Sequence, residues 1–321
     1  MNGAAGVERP IPLLVIAGPT ATGKTEMALR VAERVGGEIV SADSMQIYER
    51  MDIGTAKPTA DERARIPIHL IDFVPPDGEY TVADFCRDAA HVIADIDARG
   101  RLPILCGGTG LYLRALTEGF DFPPGPQDES VRARLRAEVQ AEGAEALHAR
   151  LAAADPVAAA RIEPGDVRRI IRALEVHELT GRPMSAVQGR RAVDAPAAPE
   201  YNCAKYVLTA PRELLFARIE RRVDAMMDAG WLDEVRALLA SGVTAQSQSM
   251  QAIGYRHLLQ HLSGERGLEE TVELIKRDTR RYAKRQMTWL RGGQGYRWLA
   301  VGSAGQRQAC TGAVATAALR L

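Results

Sequence analysis

Short apolar runs alternate with amphipathic segments over the first 120 residues of the chain. The runs have the length of buried parallel strands, and between them apolar residues recur at helical spacing. Strands that alternate with helices predict a parallel α/β sheet. The predicted strands are 11–17, 38–42 and 102–106, with 68–74 as a further candidate, and the predicted helices are 24–35 and 81–99.

The pattern changes at residues 120–127, where three prolines and a glycine interrupt it. From there to about residue 187 only helical patterns occur, and a second loose stretch follows at 192–199. Residues 206–210 predict a returning strand with helices beyond it, whereas the last twenty or so residues show no informative pattern. We predict an α/β fold in which an all-helical insertion interrupts a parallel-sheet core. The predicted divisions are 9–121, 122–199, 200–300 and a tail at 301–321.

Composition narrows the class of protein only slightly. Hydrophobic residues make up 46% and charged residues 26% of the 321, as in an ordinary globular protein. Basic and acidic residues balance at 41 each, so net charge does not indicate a polyanionic partner. The four cysteines have no metal-type spacing and are expected to be small buried hydrophobes. No apolar run approaches the ~18 residues of a membrane span, and no signal peptide is evident, so we expect a cytoplasmic protein.

Residues 18–25, Gly-Pro-Thr-Ala-Thr-Gly-Lys-Thr, join the first predicted strand to the first predicted helix, as in a phosphate-binding P-loop. Gly18 and Gly23 let backbone N–H groups turn around phosphate oxygens at the positive end of the helix. The Lys24 ammonium reaches the terminal phosphates, and the Thr25 hydroxyl can hold Mg²⁺. We therefore predict a substrate that carries a phosphate or diphosphate group.

Two further segments leave predicted strands at the same sheet edge. Asp43 follows the strand 38–42, where an active-site base or metal partner would lie. Because Gln46 comes three residues later, a helix N-cap with a capping-box partner is an equally good interpretation. Residues 107–110, Gly-Gly-Thr-Gly, form either a tight turn or a loop that brings the Thr109 hydroxyl beside Asp43, and we favour the second. Asp72 resembles a Walker B acid, but a simple strand-end aspartate is the preferred interpretation.

Basic residues concentrate near the end of the chain. The stretch from Lys276 to Arg297 holds eight Lys and Arg side chains opposed by Asp278, with aromatic residues interleaved. Such clusters suit a phosphate-rich partner such as RNA, although a solvated helix face would show the same pattern. Arg218 and Arg222, one helical turn apart, either face the P-loop cleft together or pair with nearby surface carboxylates.

Seven segments, in order and at the expected spacing, closely resemble the bacterial tRNA dimethylallyltransferases, also called tRNA isopentenylpyrophosphate transferases. The likeness runs from about Leu13 to Leu299. The segments are GPTATGKT at 18–25, SADSMQIY at 41–48, MDIGTAKP at 51–58, GGTGLYLRAL at 107–116, RALEVHELTGRP at 172–183, QAIGYR at 251–256 and KRQMTWLR at 284–291.

The resemblance implies a P-loop core whose helical insertion clasps the tRNA anticodon stem-loop. It implies Mg²⁺-dependent transfer of a dimethylallyl group from dimethylallyl diphosphate to N6 of the adenosine immediately 3′ of the anticodon. Asp43 matches the general base, and Thr109 lies near the reacting centre. The implied diphosphate contacts are Gly18, Thr20, Thr22, Gly23, Lys24, Thr25, Arg218 and Arg222. The implied tRNA contacts are Asp43, Ser44, Met45, Gln46, Thr109, Arg132, Arg168, Arg169, Arg172, Gln251, Gly254, Tyr255, Arg256, Lys284, Arg285, Gln286, Trp289 and Arg291.

Three other functions share part of this pattern. A small-molecule or nucleotide kinase needs only the P-loop and would consume ATP. An adenylate prenyltransferase would need no tRNA, and the basic segments argue against it. A nucleotide-gated RNA-binding protein would need Asp43 for binding alone. A monomer without membrane association is expected.

Overall fold

The structure, a computed structural model, describes residues 9–118, 128–187 and 201–321. These residues form two compact units, 9–118 with 201–321 and 128–187. The loose stretches predicted at 120–127 and 192–199 lie outside the described residues. The predicted divisions after residues 121 and 199 fall there too, and they stay predictions.

The larger unit is built on a six-stranded parallel sheet with the strand order β3-β2-β4-β1-β5-β6. The predicted α/β class with a parallel-sheet core is therefore confirmed. The strands are β1 (Ile11–Ala17), β2 (Glu38–Ala42), β3 (Ile68–His69), β4 (Pro103–Gly107), β5 (Tyr201–Thr209) and β6 (Tyr296–Ala300).

Helices follow most strands in the larger unit, and the described part of the smaller unit is entirely helical. In the larger unit the helices are α1 (Lys24–Val35), α2 (Ala60–Arg65), α3 (Val82–Ala98), α4 (Gly110–Glu118), α10 (Arg212–Asp228), α11 (Trp231–Ala240), α12 (Tyr255–Leu262), α13 (Leu268–Arg291) and α14 (Ala304–Ala318). In the smaller unit they are α5 (Glu129–Glu142), α6 (Ala144–Ala154), α7 (Pro156–Ala159), α8 (Val167–Thr180) and α9 (Met184–Val187).

The sheet buries a different hydrophobic cluster on each face. Leu13 and Val15 of β1 point to one side, towards a cluster that includes Phe85 of α3. Leu14 and Ile16 point to the other side, where α1 and α14 pack. Because both faces are covered, β1 is apolar at nearly every position, as the sequence pattern indicated.

Several predicted elements differ from the observed ones. The candidate strand at 68–74 stops after His69, because Leu70 and Asp72 both have positive φ and turn the chain away from the sheet. Strand β6 and helix α14 were not predicted, and α14 covers one sheet face beside α1. All four cysteines are free thiols, but Cys106 alone among them is buried.

No helix in the described ranges is long and apolar enough to cross a bilayer.

Two glycines of the motif segments make room for one tryptophan. Trp231 is 2% exposed and meets Tyr255 edge to face at 5.6 Å between ring centroids. A β-carbon at Gly54 would lie 2.0 Å from its indole Nε1, and one at Gly254 would lie 1.9 Å from its Cη2. The segments 51–58 and 251–256 are therefore held together by packing around this ring.

We expect Gly54→Ala to lower the free energy of unfolding by about 2–3 kcal/mol, because the added methyl group collides with a buried ring that cannot move aside. Gly305→Ala is the control, since no atom lies within 4 Å of its added β-carbon and it sits in the first turn of α14. Urea unfolding followed by tryptophan fluorescence measures both variants. Equal stability of Gly54→Ala and wild type would contradict the packing argument.

Candidate active site

Three loops begin side by side at the carboxyl edge of the sheet. Ala17, Ala42 and Gly107 are the last residues of β1, β2 and β4, and Gly107 is in register with both of the others. A β-carbon at Gly107 would lie 2.1 Å from the Ala42 carbonyl oxygen, so only glycine allows this approach. The P-loop, Asp43 and the loop carrying Thr109 consequently start at one place, where open α/β sheets bind ligands.

The P-loop has a backbone shape that internal contacts hold. Ala21 and Gly23 adopt left-handed conformations, with φ of 65° and 85°, and α1 begins at the next residue, Lys24. The Thr22 hydroxyl donates a hydrogen bond to the Pro19 carbonyl oxygen at 2.8 Å. Thr22 is 1% exposed, so its side chain supports the loop and only its amide remains for a ligand. Turned amides at a helix N-terminus suit a phosphate group.

Asp43 keeps one carboxylate oxygen for chemistry. Its Oδ1 accepts hydrogen bonds from the amides of Met45 at 3.0 Å and Gln46 at 3.4 Å, whereas no other described residue bonds to Oδ2. The alternative of a helix N-cap with a capping box is wrong, because no helix starts here. The Gln46 side chain instead donates to the carbonyl oxygens of Thr55 and Ala56. Asp43 therefore caps a turn with one oxygen and leaves the other available.

Thr109 lies beside Asp43, as the favoured interpretation required. Its Oγ1 accepts a hydrogen bond from the Ser44 amide at 3.1 Å, and its hydroxyl also approaches the Ser44 hydroxyl at 3.4 Å. Tyr282 of α13 lies near Thr109, and burial together with the Asp43 charge raises the pKa of its phenol. The sequence showed Tyr282 only as one of the aromatic residues among the basic ones, and sequence reasoning did not place it in the site.

Lys24 and Arg222 both interact electrostatically with Asp43. Burial lowers the pKa of Lys24, with Arg222 adding to the effect and Asp43 opposing it. Burial likewise lowers the pKa of the Arg222 guanidinium, again opposed by Asp43. Both residues are partly buried, so a bound anion would replace only part of their contact with water. Arg222 thus interacts with Asp43, and its contact with a diphosphate stays a prediction.

Arg218 makes a different set of contacts, and its predicted contact with a diphosphate stays a prediction. Its Nη2 donates to the carbonyl oxygen of Gly302 at 3.1 Å, and burial and the Arg307 charge lower its pKa. The alternative in which these arginines pair with nearby surface carboxylates is wrong. Glu220 pairs with Arg280, and Asp224 pairs with a lysine of α13.

The basic stretch on α13 divides into a paired half and an open half. Lys276, Arg277, Arg280 and Arg281 each form an ion pair with a carboxylate. In the described residues no acidic side chain lies within salt-bridge distance of the exposed cations that follow them. Those cations are Lys284, Arg285 and Arg291.

Trp289 lies near the C-terminal end of α13 and is partly buried. Its side chain packs against Gly110, where an added β-carbon would lie 2.7 Å from the Trp289 Cβ. The Arg114 guanidinium lies 5.5 Å from the centre of its ring. This packing docks α13 directly against the loop that carries Thr109.

The four arginines of the smaller unit for which the resemblance implied tRNA contacts are of two kinds. Arg132 and Arg172 both pair with Glu175, whose side chain is 0% exposed, at 2.9 and 2.6 Å. Burial would raise the pKa of Glu175, but hydrogen bonds from Arg172, the Asp128 amide and Arg132 hold it below its usual range. These arginines therefore stabilise the helices, while Arg168 and Arg169 are exposed on α8.

The segment 251–256 has mixed exposure. Gly254 and Tyr255 are buried, and the Tyr255 hydroxyl donates to Glu234 at 2.6 Å. Gln251 and Arg256 are exposed, with Arg256 bonded to Asp278 at 3.3 Å. A tRNA contact from the side chain of Tyr255 stays a prediction, and its burial does not support it.

Asp72 is a structural residue in this arrangement. Its carboxylate accepts from Lys57 Nζ at 2.6 Å and from Arg63 Nη1 at 3.1 Å. The Lys57 side chain is 1% exposed and also reaches Asp52 at 2.7 Å. The preferred interpretation of a strand-end aspartate is in keeping with these contacts, which use both Asp72 oxygens.

A P-loop facing a carboxylate with a free oxygen, on a parallel sheet, defines a P-loop group-transfer protein. The IPP transferase family model matches residues 46–293. The tRNA dimethylallyltransferase of Geobacter metallireducens is 53% identical over 285 residues, covering 88% of this chain and 91% of that protein. The chain belongs to this IPP transferase family of tRNA dimethylallyltransferases.

Solved structures agree with the family. The crystal structure of a tRNA isopentenylpyrophosphate transferase from Bacillus halodurans superposes with a TM-score of 0.70 at 41% identity, covering 97% of both chains. A eukaryotic dimethylallyltransferase acting on tRNA superposes with a TM-score of 0.75 at 28% identity, covering 92% of this chain and 75% of that one.

We expect Asp72→Asn to lower the free energy of unfolding by about 1–2 kcal/mol at pH 7, since buried Lys57 loses one anionic partner. Burial would raise the pKa of Asp72, but hydrogen bonds from Lys57 and Arg63 hold it below its usual range. Its contribution is therefore present above the unfolded pKa of about 4 and is lost as pH falls through the folded pKa. Urea unfolding at pH 7 and pH 3 measures the difference between variant and wild type.

The difference should shrink at pH 3. Asparagine tolerates the left-handed backbone at this position, so the substitution adds no strain there. A difference that grows on acidification would contradict the assignment, and so would a variant of unchanged stability that loses activity.

Proposed function

We propose that the chain transfers a dimethylallyl group from dimethylallyl diphosphate to N6 of the adenosine immediately 3′ of the anticodon in tRNA. One observation carries the proposal. The P-loop with Lys24 and the free Oδ2 of Asp43 follow strand ends that lie in register at one edge of the sheet, so a leaving diphosphate and a deprotonating base can act on the same bond. The names of the relatives support the choice of group and acceptor.

The reaction requires a proton-accepting base and an anion-binding site close to each other. The N6 nitrogen forms a bond to the allylic carbon, the carbon–oxygen bond to the diphosphate breaks, and Oδ2 of Asp43 accepts the N6 proton. An adenine amine is a weak nucleophile, so removing its proton as the new bond forms lowers the barrier. Lys24, Arg222 and the P-loop amides stabilise the negative charge that develops on the diphosphate.

The residues present suit Mg²⁺, which prefers oxygen ligands and retains several waters when it binds phosphates. The Thr25 hydroxyl would hold the ion together with the diphosphate, where it would neutralise part of the leaving-group charge. Among the described residues no group of three or more His, Cys, Asp or Glu side chains is placed to hold a metal ion, so the substrate would supply most of the coordination.

The tRNA-binding surface of the protein would include the exposed cations of α13. Lys284, Arg285 and Arg291 have no acidic partner among the described residues, so they can neutralise phosphates without first breaking an ion pair. The target base must leave its stack to reach Asp43, which costs a few kcal/mol that backbone contacts can offset. Exposed Arg168 and Arg169 would add contacts from the helical unit. We expect a monomer acting in the cytoplasm, where its tRNA substrates are.

Transfer is tested with labelled dimethylallyl diphosphate, Mg²⁺ and an unmodified tRNA whose anticodon is followed by A-A-A. Label should enter the RNA at the adenosine next to the anticodon, and chelation of Mg²⁺ should abolish incorporation. ATP should be neither consumed nor required, which separates this function from a kinase. Label transferred to free adenylate instead would indicate an adenylate prenyltransferase, and no transfer by folded protein would sink the proposal.

Asp43→Asn should lower kcat by about 10²–10⁴, the usual contribution of a general base. The amide oxygen can still accept from the Met45 and Gln46 amides, so the turn should persist and tRNA affinity should stay within about twofold. Single-turnover kinetics and a filter-binding titration give the two quantities. An unchanged rate would remove Asp43 from this role, and a loss confined to binding would favour an RNA-binding protein without catalysis.

A further inference from the structure

Gln286 of α13 joins two loops of the active site. Its Oε1 accepts a hydrogen bond from the Thr20 amide at 2.9 Å, 266 residues away in the chain, and its Nε2 donates to the Gly108 carbonyl oxygen at 2.9 Å. The residue is 5% exposed. A β-carbon at Gly108 would lie 2.3 Å from Nε2, so the loop is glycine where the amide enters. Both ends of the side chain are therefore used inside the protein.

The two loops need a constraint of this kind. Thr20 directly precedes Ala21, a non-glycine residue with a φ of 65°, and such a conformation persists only where its surroundings hold it. Gly108 directly precedes Thr109, whose hydroxyl bonds to the Ser44 amide next to Asp43. One side chain thus connects the P-loop, which would hold the donor, to the loop next to the base Asp43.

We propose that Gln286 is a positioning residue, which holds the P-loop and the Thr109 loop at a set separation instead of contacting tRNA. The inference rests on the proposed function and replaces the tRNA contact that the resemblance implied for this residue. In-line transfer requires the leaving diphosphate and the accepting carboxylate to be correctly spaced, and small displacements are costly. Because Lys284 and Arg285 stand on the same helix, the brace also links the tRNA-facing surface to the donor cradle.

The test is Gln286→Met, which keeps the length of the side chain and removes both hydrogen-bonding groups. Affinity for inorganic pyrophosphate with Mg²⁺, affinity for tRNA, and kcat and KM for the donor are measured separately. We expect pyrophosphate Kd and donor KM to rise about tenfold and kcat to fall about tenfold, while tRNA Kd stays within about twofold. Thr279→Val is the control, since its hydroxyl donates to the Ile275 carbonyl oxygen within α13 and to no other described residue.

A second measurement uses the unmodified protein and does not depend on how a variant folds. The Thr20 amide should be protected from hydrogen exchange without any ligand, although it lies in a loop. Rapid exchange of this amide would overturn the proposal, as would a variant whose tRNA affinity falls while pyrophosphate affinity is kept. If wild type transfers no dimethylallyl group, the proposed function fails, but the pyrophosphate and exchange measurements still decide the role of Gln286.

Discussion

The Ala42 carbonyl oxygen and the Gly107 backbone approach so closely that no side chain fits between them. That contact aligns the ends of β2 and β4, and β1 is in register beside them. The phosphate cradle, the free carboxylate oxygen of Asp43 and the Thr109 hydroxyl depend on this alignment, because each lies within a few residues of a strand end. Shifting one strand by a single residue would move its loop by about 3.3 Å and reverse its side chains.

Helix α13 completes the site from a distant part of the chain. Gln286 bonds to the P-loop and to the loop after β4, Tyr282 lies near Thr109, and Trp289 packs on Gly110. The same helix presents cations that have no acidic partner among the described residues. In the function proposed above, acceptor recognition and donor positioning would both depend on this one helix, which could keep the reacting atoms aligned when RNA binds.

Strands and helices were predictable from the sequence where the local pattern of apolar residues determines them. Strand β1, helix α1 and strand β2 begin and end where the apolar pattern placed them, since both sheet faces bury their residues. The sequence did not predict helix α14, because the apolar residues of this segment form only a weak amphipathic pattern. The helix is stabilised by packing beside α1. The bracing role of Gln286 was beyond sequence reasoning as well, because it depends on a contact across 266 residues. The resemblance identified the KRQMTWLR segment, but it could not separate buried from exposed residues within it.

A crystal structure with a sulfur-bridged donor analogue and an anticodon stem-loop tests the central claim most directly. The account predicts diphosphate oxygens on the P-loop amides and on Lys24 Nζ. It also predicts Oδ2 of Asp43 within about 3 Å of the N6 nitrogen of the extruded adenine. A diphosphate bound outside the P-loop would contradict it, and so would an adenine whose N6 faces away from Asp43.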